Sequence, residues 1–197
     1  MTPQHYIDVT LKAGREGMPL PVVAAAVLKV MHGVFSSQPG IYALALPAYK
    51  EKKSPFSVLR VFAGQAKDLE WVAGIIASRH AFRPFVRVGC VREVPPVCEE
   101  HTEYRRFRFP KSRTNQYGYD KRLNEAKKQR IPYFSMQSKS NGHPFGLCVK
   151  PIAIEAGERQ NIESSAVLIS GFQPDSYGLS GASRRFALPD LPLSAVA

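Results

Sequence analysis

The chain has few of the residues that build disulfide frameworks and metal sites. Only three of its 197 residues are cysteines, they are widely spaced, and none forms a Cys-x-x-Cys pair. This pattern argues against a disulfide scaffold and a zinc knuckle, and it favours a reducing cytoplasm. The 16 acidic residues are scattered, without a pair suited to a metal. We therefore expect no cofactor and no metal, which disfavours a two-metal nuclease.

Long apolar runs are also missing. No stretch reaches the 18 or so apolar residues that a membrane span requires, so we expect no membrane partner. Residues 18–28 resemble the core of a signal peptide, but they follow a strand pattern and Lys29 comes directly after them. We interpret them as a buried helix. The motif from Tyr177 to Gly181 (YGLSG) is not a P-loop, because it lacks the P-loop spacing and the Gly-Lys-Ser/Thr ending. The chain also contains no nucleophile elbow of the G-x-S-x-G type.

Positive charge is abundant and concentrated. The chain carries 27 Lys and Arg against 16 Asp and Glu, for a net charge of +11 and a pI near 9.8. Residues 104–130 hold ten of the basic side chains and only two acidic ones: Arg105, Arg106, Arg108, Lys111, Arg113, Lys121, Arg122, Lys127, Lys128 and Arg130. Aromatic residues interleave with these charges, a mixture that suits the phosphates and bases of nucleic acid, RNA in particular. The alternative is a solvated helix face beside an edge strand.

The first half of the chain predicts an ordered α+β unit. Alternation predicts a half-buried strand over 5–12, and further strands are predicted over 41–46, 56–62 and 85–92. Helices are predicted from Pro21 to about Gly33 and over 68–78. The order βαββαβ is that of a ferredoxin-like domain, a frequent RNA-binding scaffold.

Paired prolines, Pro95 and Pro96, predict a boundary between a domain at 1–96 and a second domain at 97–197. The second domain has a less regular α+β pattern. We predict strands over 103–109, 133–137, 145–154 and 166–170, a basic helix over 119–130, and a proline-rich tail over 188–197.

Three places could carry chemistry. One is the loop from Tyr177 to Gly181, which is either an anion-contacting loop or a simple turn. His32 lies late in the first helix, where the helix dipole favours a protonated imidazole, and it could act as a general base near neutral pH. A helix-capping or core histidine is the alternative. The turn from Ser138 to Gly142 offers hydroxyls and N–H groups that could hold a phosphate or a ribose hydroxyl, although an ordinary hairpin loop would have the same composition.

Taken in order, these segments resemble the CRISPR repeat-processing endoribonucleases of type I-F systems. His32 falls where that family carries its catalytic histidine. Residues 104–113 resemble the family's arginine-bearing linker, and residues 121–130 resemble its arginine-rich helix. Ser138, Ser140, Gly142 and Phe145 match a distinctive family spacing, and the segment from Tyr177 to Ser180 matches a signature near the family's C-terminus.

The resemblance implies a metal-independent cut at the base of a repeat RNA hairpin, in which a 2′-hydroxyl attacks the neighbouring phosphate. His32, Ser138 and Tyr177 would be the catalytic residues. Phe145 would stack under the terminal base pair with Ser140 nearby, and Arg108 would read a guanine. The remaining expected RNA contacts are Arg105, Lys111, Arg113, Lys121, Arg122, Lys127, Lys128 and Arg130. Partners would be the CRISPR repeat RNA and the other subunits of a type I-F surveillance complex, in the cytoplasm.

The chain departs from the family pattern at three positions. Pro110 stands where a base-reading glutamine is expected, and Ala126 and Gln129 stand where arginines are expected. We therefore expect the family architecture with a different stem preference. A stem-loop-binding protein without catalysis is the main alternative, and a duplex DNA binder is a third, although no helix-turn-helix spacing is present.

Overall fold

The computed structural model describes residues 3–13, 18–50, 54–111, 114–138, 141–154, 173–182 and 184–193. Within these residues the chain is α+β, with two antiparallel sheets and three α-helices. The predicted fold class is therefore confirmed at this level. The predicted strand over 166–170 lies outside the described residues.

The first sheet and its helices follow the predicted order, except that two short strands replace the single strand predicted over 85–92. Its elements are β1 (His5–Leu11), α1 (Leu20–Ser37), β2 (Ala43–Ala45), β3 (Val58–Ala63), α2 (Ala66–Ala77), β4 (Val86–Val88) and β5 (Arg92–Glu93). The strands run in the order β2-β3-β1-β4, and β5 also pairs with β1. All of these pairs are antiparallel, with Val9 opposite both Leu59 of β3 and Val88 of β4.

Strand β1 is buried on both faces, whereas the alternation predicted a half-buried strand. The prediction was wrong because the polar face is covered and its charge is neutralised. Arg60 of β3 donates to both carboxylate oxygens of Asp8, at 2.6 and 2.8 Å. The same guanidinium donates to the carbonyls of Leu191 and Pro192, at 2.7 and 2.9 Å. The chain near the C-terminus therefore packs over the acidic face of β1.

Helix α1 ends at Ser37 rather than near Gly33, so the predicted boundary was wrong. Gly33 is exposed on the helix, and nothing around it forces the backbone to turn. The chain turns instead at Gly40, whose φ of 81° favours glycine. By length and composition α1 could cross a membrane, but it has an extended buried side, as a core helix does.

The second sheet contains the basic segment. Its elements are β6 (His101–Phe107), α3 (Gln116–Lys128), β7 (Tyr133–Gln137), β8 (Pro144–Ile154) and β9 (Leu188–Pro189), with the strands in the order β7-β8-β6-β9. Strand β9 was predicted as part of a tail, but it pairs with β6 through Leu188 and Thr102. Helix α3 begins before the predicted residue 119, because the Asn115 side chain accepts the Gly118 N–H at 2.8 Å and caps the helix.

The two sheets share one apolar core. It contains buried residues of α1, such as Leu28 and Phe35, together with Phe134 of β7 and Val149 of β8. Burial of these large side chains supplies the main driving force for folding. The contact between α1 and the second sheet also places His32 beside the segment that bears Tyr177.

Candidate active site and nucleic-acid interface

His32 is held by the backbone of a distant segment. Its Nδ1 lies 2.7 Å from the carbonyl oxygen of Ser176 and 3.3 Å from the hydroxyl of Ser36. A carbonyl only accepts, so the imidazole must donate an N–H from Nδ1 to Ser176. In the neutral ring the lone pair then sits on Nε2. Nε2 has no hydrogen-bond partner within the described residues, so this nitrogen can accept a proton.

The ring of Tyr177 fixes the plane of the imidazole. The two rings stack with centroids 4.1 Å apart and planes 5° apart. Phe145 meets Tyr177 edge-on at 6.5 Å, and the guanidinium carbon of Arg106 lies 5.8 Å from the centre of the Tyr177 ring. These contacts place His32, Tyr177 and Phe145 in one group, drawn from α1, the C-terminal segment (residues 173–182) and β8.

The segment that bears Tyr177 is held by hydrogen bonds within itself and to the first sheet. The Asp175 carboxylate accepts the N–H groups of Tyr177 and Leu179, at 2.8 and 2.9 Å. Gly178 has a φ of 75°, and its carbonyl accepts the Leu44 N–H at 2.8 Å. A Cβ at Gly178 would lie 2.8 Å from that same nitrogen, so this position requires glycine. Burial raises the pKa of Tyr177, which keeps its phenol neutral.

Ser138 lies at the end of the hairpin formed by β7 and β8. Its N–H donates to the His143 carbonyl at 2.9 Å, and its own carbonyl accepts the Gly142 N–H at 3.0 Å. It follows Met136, the register partner of Phe145, by two residues, or about 7 Å along a strand. Ser138 is therefore at the same end of the hairpin as Phe145, and Phe145 in turn contacts Tyr177. Ser140 lies outside the described residues.

Most of the predicted RNA-binding side chains are exposed. These are Arg108, Lys111, Lys121, Arg122, Lys127, Lys128 and Arg130. Arg113 lies outside the described part of the chain. Helix α3 has no buried residue, which is unusual for a helix in a folded protein and suits one whose surface binds a ligand.

Two of the predicted RNA contacts also bind protein groups. The Arg122 guanidinium lies 4.5 Å from the centre of the Phe107 ring and donates to Glu125 at 3.0 Å. Arg105 donates to the buried carboxylate of Glu103 at 2.9 Å. Lys150 and then Arg122 lower the pKa of Glu125, so that this carboxylate stays ionised and connects α3 to β8. Arg122 therefore docks α3 on the sheet.

The sequence interpretation missed three groups around His32. Ser36 lies four residues after His32, on the same face of α1, and it was hidden because the predicted helix stopped too early. The Ser176 carbonyl is a backbone group, which leaves no signal in side-chain patterns. Arg106 was counted only as charge, although it contacts Tyr177. Among the described residues, no group of three or more His, Cys, Asp or Glu side chains is placed to hold a metal ion.

The chain matches a protein-family model over most of its length. Residues 6–189 match the family model described as CRISPR-associated protein (Cas_Csy4). No individual curated protein gives a significant match. The family match covers nearly the whole chain. The chain therefore belongs to the type I-F CRISPR repeat-processing endoribonuclease family, whose enzymes process CRISPR RNA in antiviral defence.

Proposed function

We propose that this protein is a metal-independent endoribonuclease that cuts at the 3′ base of the CRISPR repeat hairpin. One observation carries the proposal: the Ser176 carbonyl holds Nδ1 of His32, and the Tyr177 ring stacks on the imidazole, so that Nε2 is left with the lone pair. An imidazole fixed in this way has the tautomer that a general base requires.

The reaction uses a nucleophile supplied by the RNA itself. Nε2 of His32 removes the proton of a 2′-hydroxyl, and the 2′-oxygen attacks the adjacent phosphorus. The bond from phosphorus to the 5′-oxygen breaks, leaving a 2′,3′-cyclic phosphate. Water protonates the departing 5′-oxygen, and the imidazolium releases its proton to solvent. Because the nucleophile and the phosphate belong to one nucleotide step, positioning and a base suffice.

Residues of the protein hairpin formed by β7 and β8 would position the scissile nucleotide of the RNA. Ser138 binds the 2′-hydroxyl and fixes the sugar, with Ser140 close by. Phe145 stacks on the terminal base pair of the stem, which places the first unpaired nucleotide over the imidazole. Its contact with Tyr177 supports this assignment, because stacking on Phe145 would bring the RNA to the His32 and Tyr177 pair.

The basic segment would hold the stem. Arg108 reads a guanine through two hydrogen bonds, a geometry that its planar guanidinium allows. The other predicted contacts, Arg105, Lys111, Arg113, Lys121, Arg122, Lys127, Lys128, Arg130, bind phosphates. Because the cut leaves the stem intact, the enzyme stays bound to its product. We also propose that the bound product is retained within a type I-F surveillance complex in the cytoplasm.

We further propose a ferredoxin-like domain over 1–96 and an RNA-binding domain over 97–197. The element order βαββαβ and the strand order β2-β3-β1-β4 support the first assignment. The second sheet with α3 supports the second. Both domains contribute to the site, since His32 belongs to the first and Tyr177 to the second.

The variant His32→Ala tests the function. We expect it to abolish cleavage of a repeat transcript in chelator while leaving affinity for the hairpin unchanged, because the imidazole touches the reacting atoms and not the stem. His80→Ala, at an exposed histidine between α2 and β4, is the matched control and should cut normally. Full activity in His32→Ala would refute the catalytic assignment. A wild-type protein that binds the hairpin and never cuts it would be a stem-loop binder.

A further inference from the structure

Glu103 is a buried carboxylate that the proposed reaction does not use. It lies on β6 with no exposed surface. Arg105 donates to it from Nε and Nη2 at 2.9–3.0 Å, and Arg185 donates from Nε and Nη2 at 2.9–3.1 Å. The hydroxyl of Ser180 completes its shell at 2.5 Å. One negative charge therefore holds two guanidinium groups side by side.

This arrangement leaves an excess of positive charge and of donors at the surface. The side chains of Arg105 and Arg185 are 33% and 40% exposed. Each guanidinium has five N–H donors, and Glu103 engages only the Nε and Nη2 sides. Within the described residues, Nη1 of each arginine makes no hydrogen bond. The local charge is that of two cations and one anion, so one further anion would balance it.

The pair is continuous with the surface of α3. In the register of the second sheet, Arg105 stands opposite Lys150. Lys150 donates to Glu125 of α3 at 2.9 Å and lies 5.8 Å from the centre of the Phe107 ring, on which Arg122 also packs. The two guanidinium groups therefore lie on the face of the sheet that α3 covers.

We infer that Arg105 and Arg185, oriented by Glu103, form a clamp for one phosphodiester of the RNA strand that passes along α3. A phosphodiester carries one negative charge and two free oxygens, which matches the charge and the unused donors of the pair. Arg185 is a binding residue outside the basic segment. This inference rests on the proposed function, since it assigns a further contact with the same RNA.

Glu103 acts as a positioning residue for both arginines. A guanidinium held at two points loses little additional freedom when it binds an anion, whereas a free arginine must be ordered. A purely structural role would tie the C-terminal segment to β6, and the bond from the Ser180 N–H to the Tyr104 carbonyl, at 2.8 Å, already does that. Tying this segment to β6 does not require the guanidinium of Arg185.

The test measures affinity for a repeat hairpin made uncleavable by a 2′-deoxy substitution, across a salt series. We expect Arg185→Gln to bind about tenfold more weakly, as loss of a charge-assisted contact implies. The slope of log Kd against log salt should fall by about 1.

Arg185→Lys should keep the slope but recover only part of the affinity, because an ammonium lacks the two-point bond to Glu103. Arg83→Gln removes an equal charge at an exposed arginine of the first half and should change neither quantity.

Unchanged affinity and slope in folded Arg185→Gln would overturn the clamp, as would wild-type affinity in Arg185→Lys, which would show that charge alone matters. Melting temperatures check the fold, and Arg105→Gln serves if Arg185→Gln does not fold. Inorganic phosphate is a further probe: if it raises the melting temperature of wild type but not of Arg185→Gln, while RNA affinity is unchanged, the pair binds free anions and the RNA assignment is overturned. If wild type cuts the transcript and Arg185→Gln binds as wild type does, only the clamp fails. If wild type binds no hairpin, both proposals fail.

Discussion

At the scale of single residues, the site depends on how one imidazole is held. The sequence identified His32 and Tyr177 by their places in a family pattern, but it could not supply the two contacts that orient the ring. One comes from a backbone carbonyl at Ser176, and the other from the face of Tyr177. The first requires residues 32 and 176 to meet in space, and no local pattern records a contact across 144 residues.

Substitutions of Tyr177 separate its ring from its hydroxyl. Tyr177→Phe keeps the stacked ring and should cut repeat RNA at the wild-type rate. Tyr177→Ala removes the stack and should slow cleavage about 10²-fold, the cost of a small misplacement of a reacting group. Burial raises the pKa of Tyr177 above its ordinary value of about 10, so the phenol is neutral at every lower pH.

Wild type and Tyr177→Phe should therefore have the same pH–rate profile up to that pH. The measurement is single-turnover cleavage across the pH series. A rate in Tyr177→Phe as low as that of Tyr177→Ala would show that cleavage depends on the hydroxyl of Tyr177 and not on its ring.

At the scale of elements, strands and helices were predicted well where apolar periodicity was strong. The bounds of β7 match the predicted 133–137, because Phe134 and Met136 are buried and alternate with exposed residues. Ends without a strong local signal were misplaced. The predicted end of α1 at Gly33 failed because glycine costs only about 1 kcal/mol inside a helix, less than packing contributes. Strand β9 was missed because it is two residues long and contains Pro189.

Helix α3 and the end of β6 should make different kinds of RNA contact. Lys127→Gln on α3 removes one exposed charge and should weaken binding to all stems, lowering the salt slope by about 1. Arg108→Gln, just after β6, should cost about 1–3 kcal/mol and relax preference at one base pair. Binding of a panel of stem variants across a salt series measures both effects. Lys67→Gln, at an exposed lysine of α2, is the control, and an exchange of the two phenotypes would show that the roles are reversed.

At the scale of the whole molecule, long-range pairing was the part that the sequence could not supply. The alternation in β1 predicted an exposed polar face, yet Asp8 is covered by Arg60 and by the carbonyls of Leu191 and Pro192. The sequence contains the opposite charges, but their partnership depends on the register of β1 with β3. Composition did indicate the basic surface, because a charge surplus needs no knowledge of contacts.

Removing the arginine of this buried pair should destabilise the protein as a whole. Arg60→Met removes the guanidinium that donates to both oxygens of the buried Asp8 carboxylate, and we expect a loss of about 3–5 kcal/mol in the free energy of unfolding. Equilibrium unfolding in urea measures it. The double variant Asp8→Asn, Arg60→Met removes both charges and should recover part of the loss. Equal stability of wild type and Arg60→Met would contradict the buried pairing.

The most direct test of the account is cleavage of the repeat hairpin in chelator, with and without a single 2′-deoxy substitution at the nucleotide before the scissile phosphate. If His32 activates an internal nucleophile, wild type should cut the all-ribose hairpin to a 2′,3′-cyclic phosphate product. It should bind the substituted hairpin with nearly the same affinity, because the stem supplies most of the contacts, and leave it intact. Cleavage of the 2′-deoxy hairpin, or a strict requirement for a divalent metal, would contradict the account.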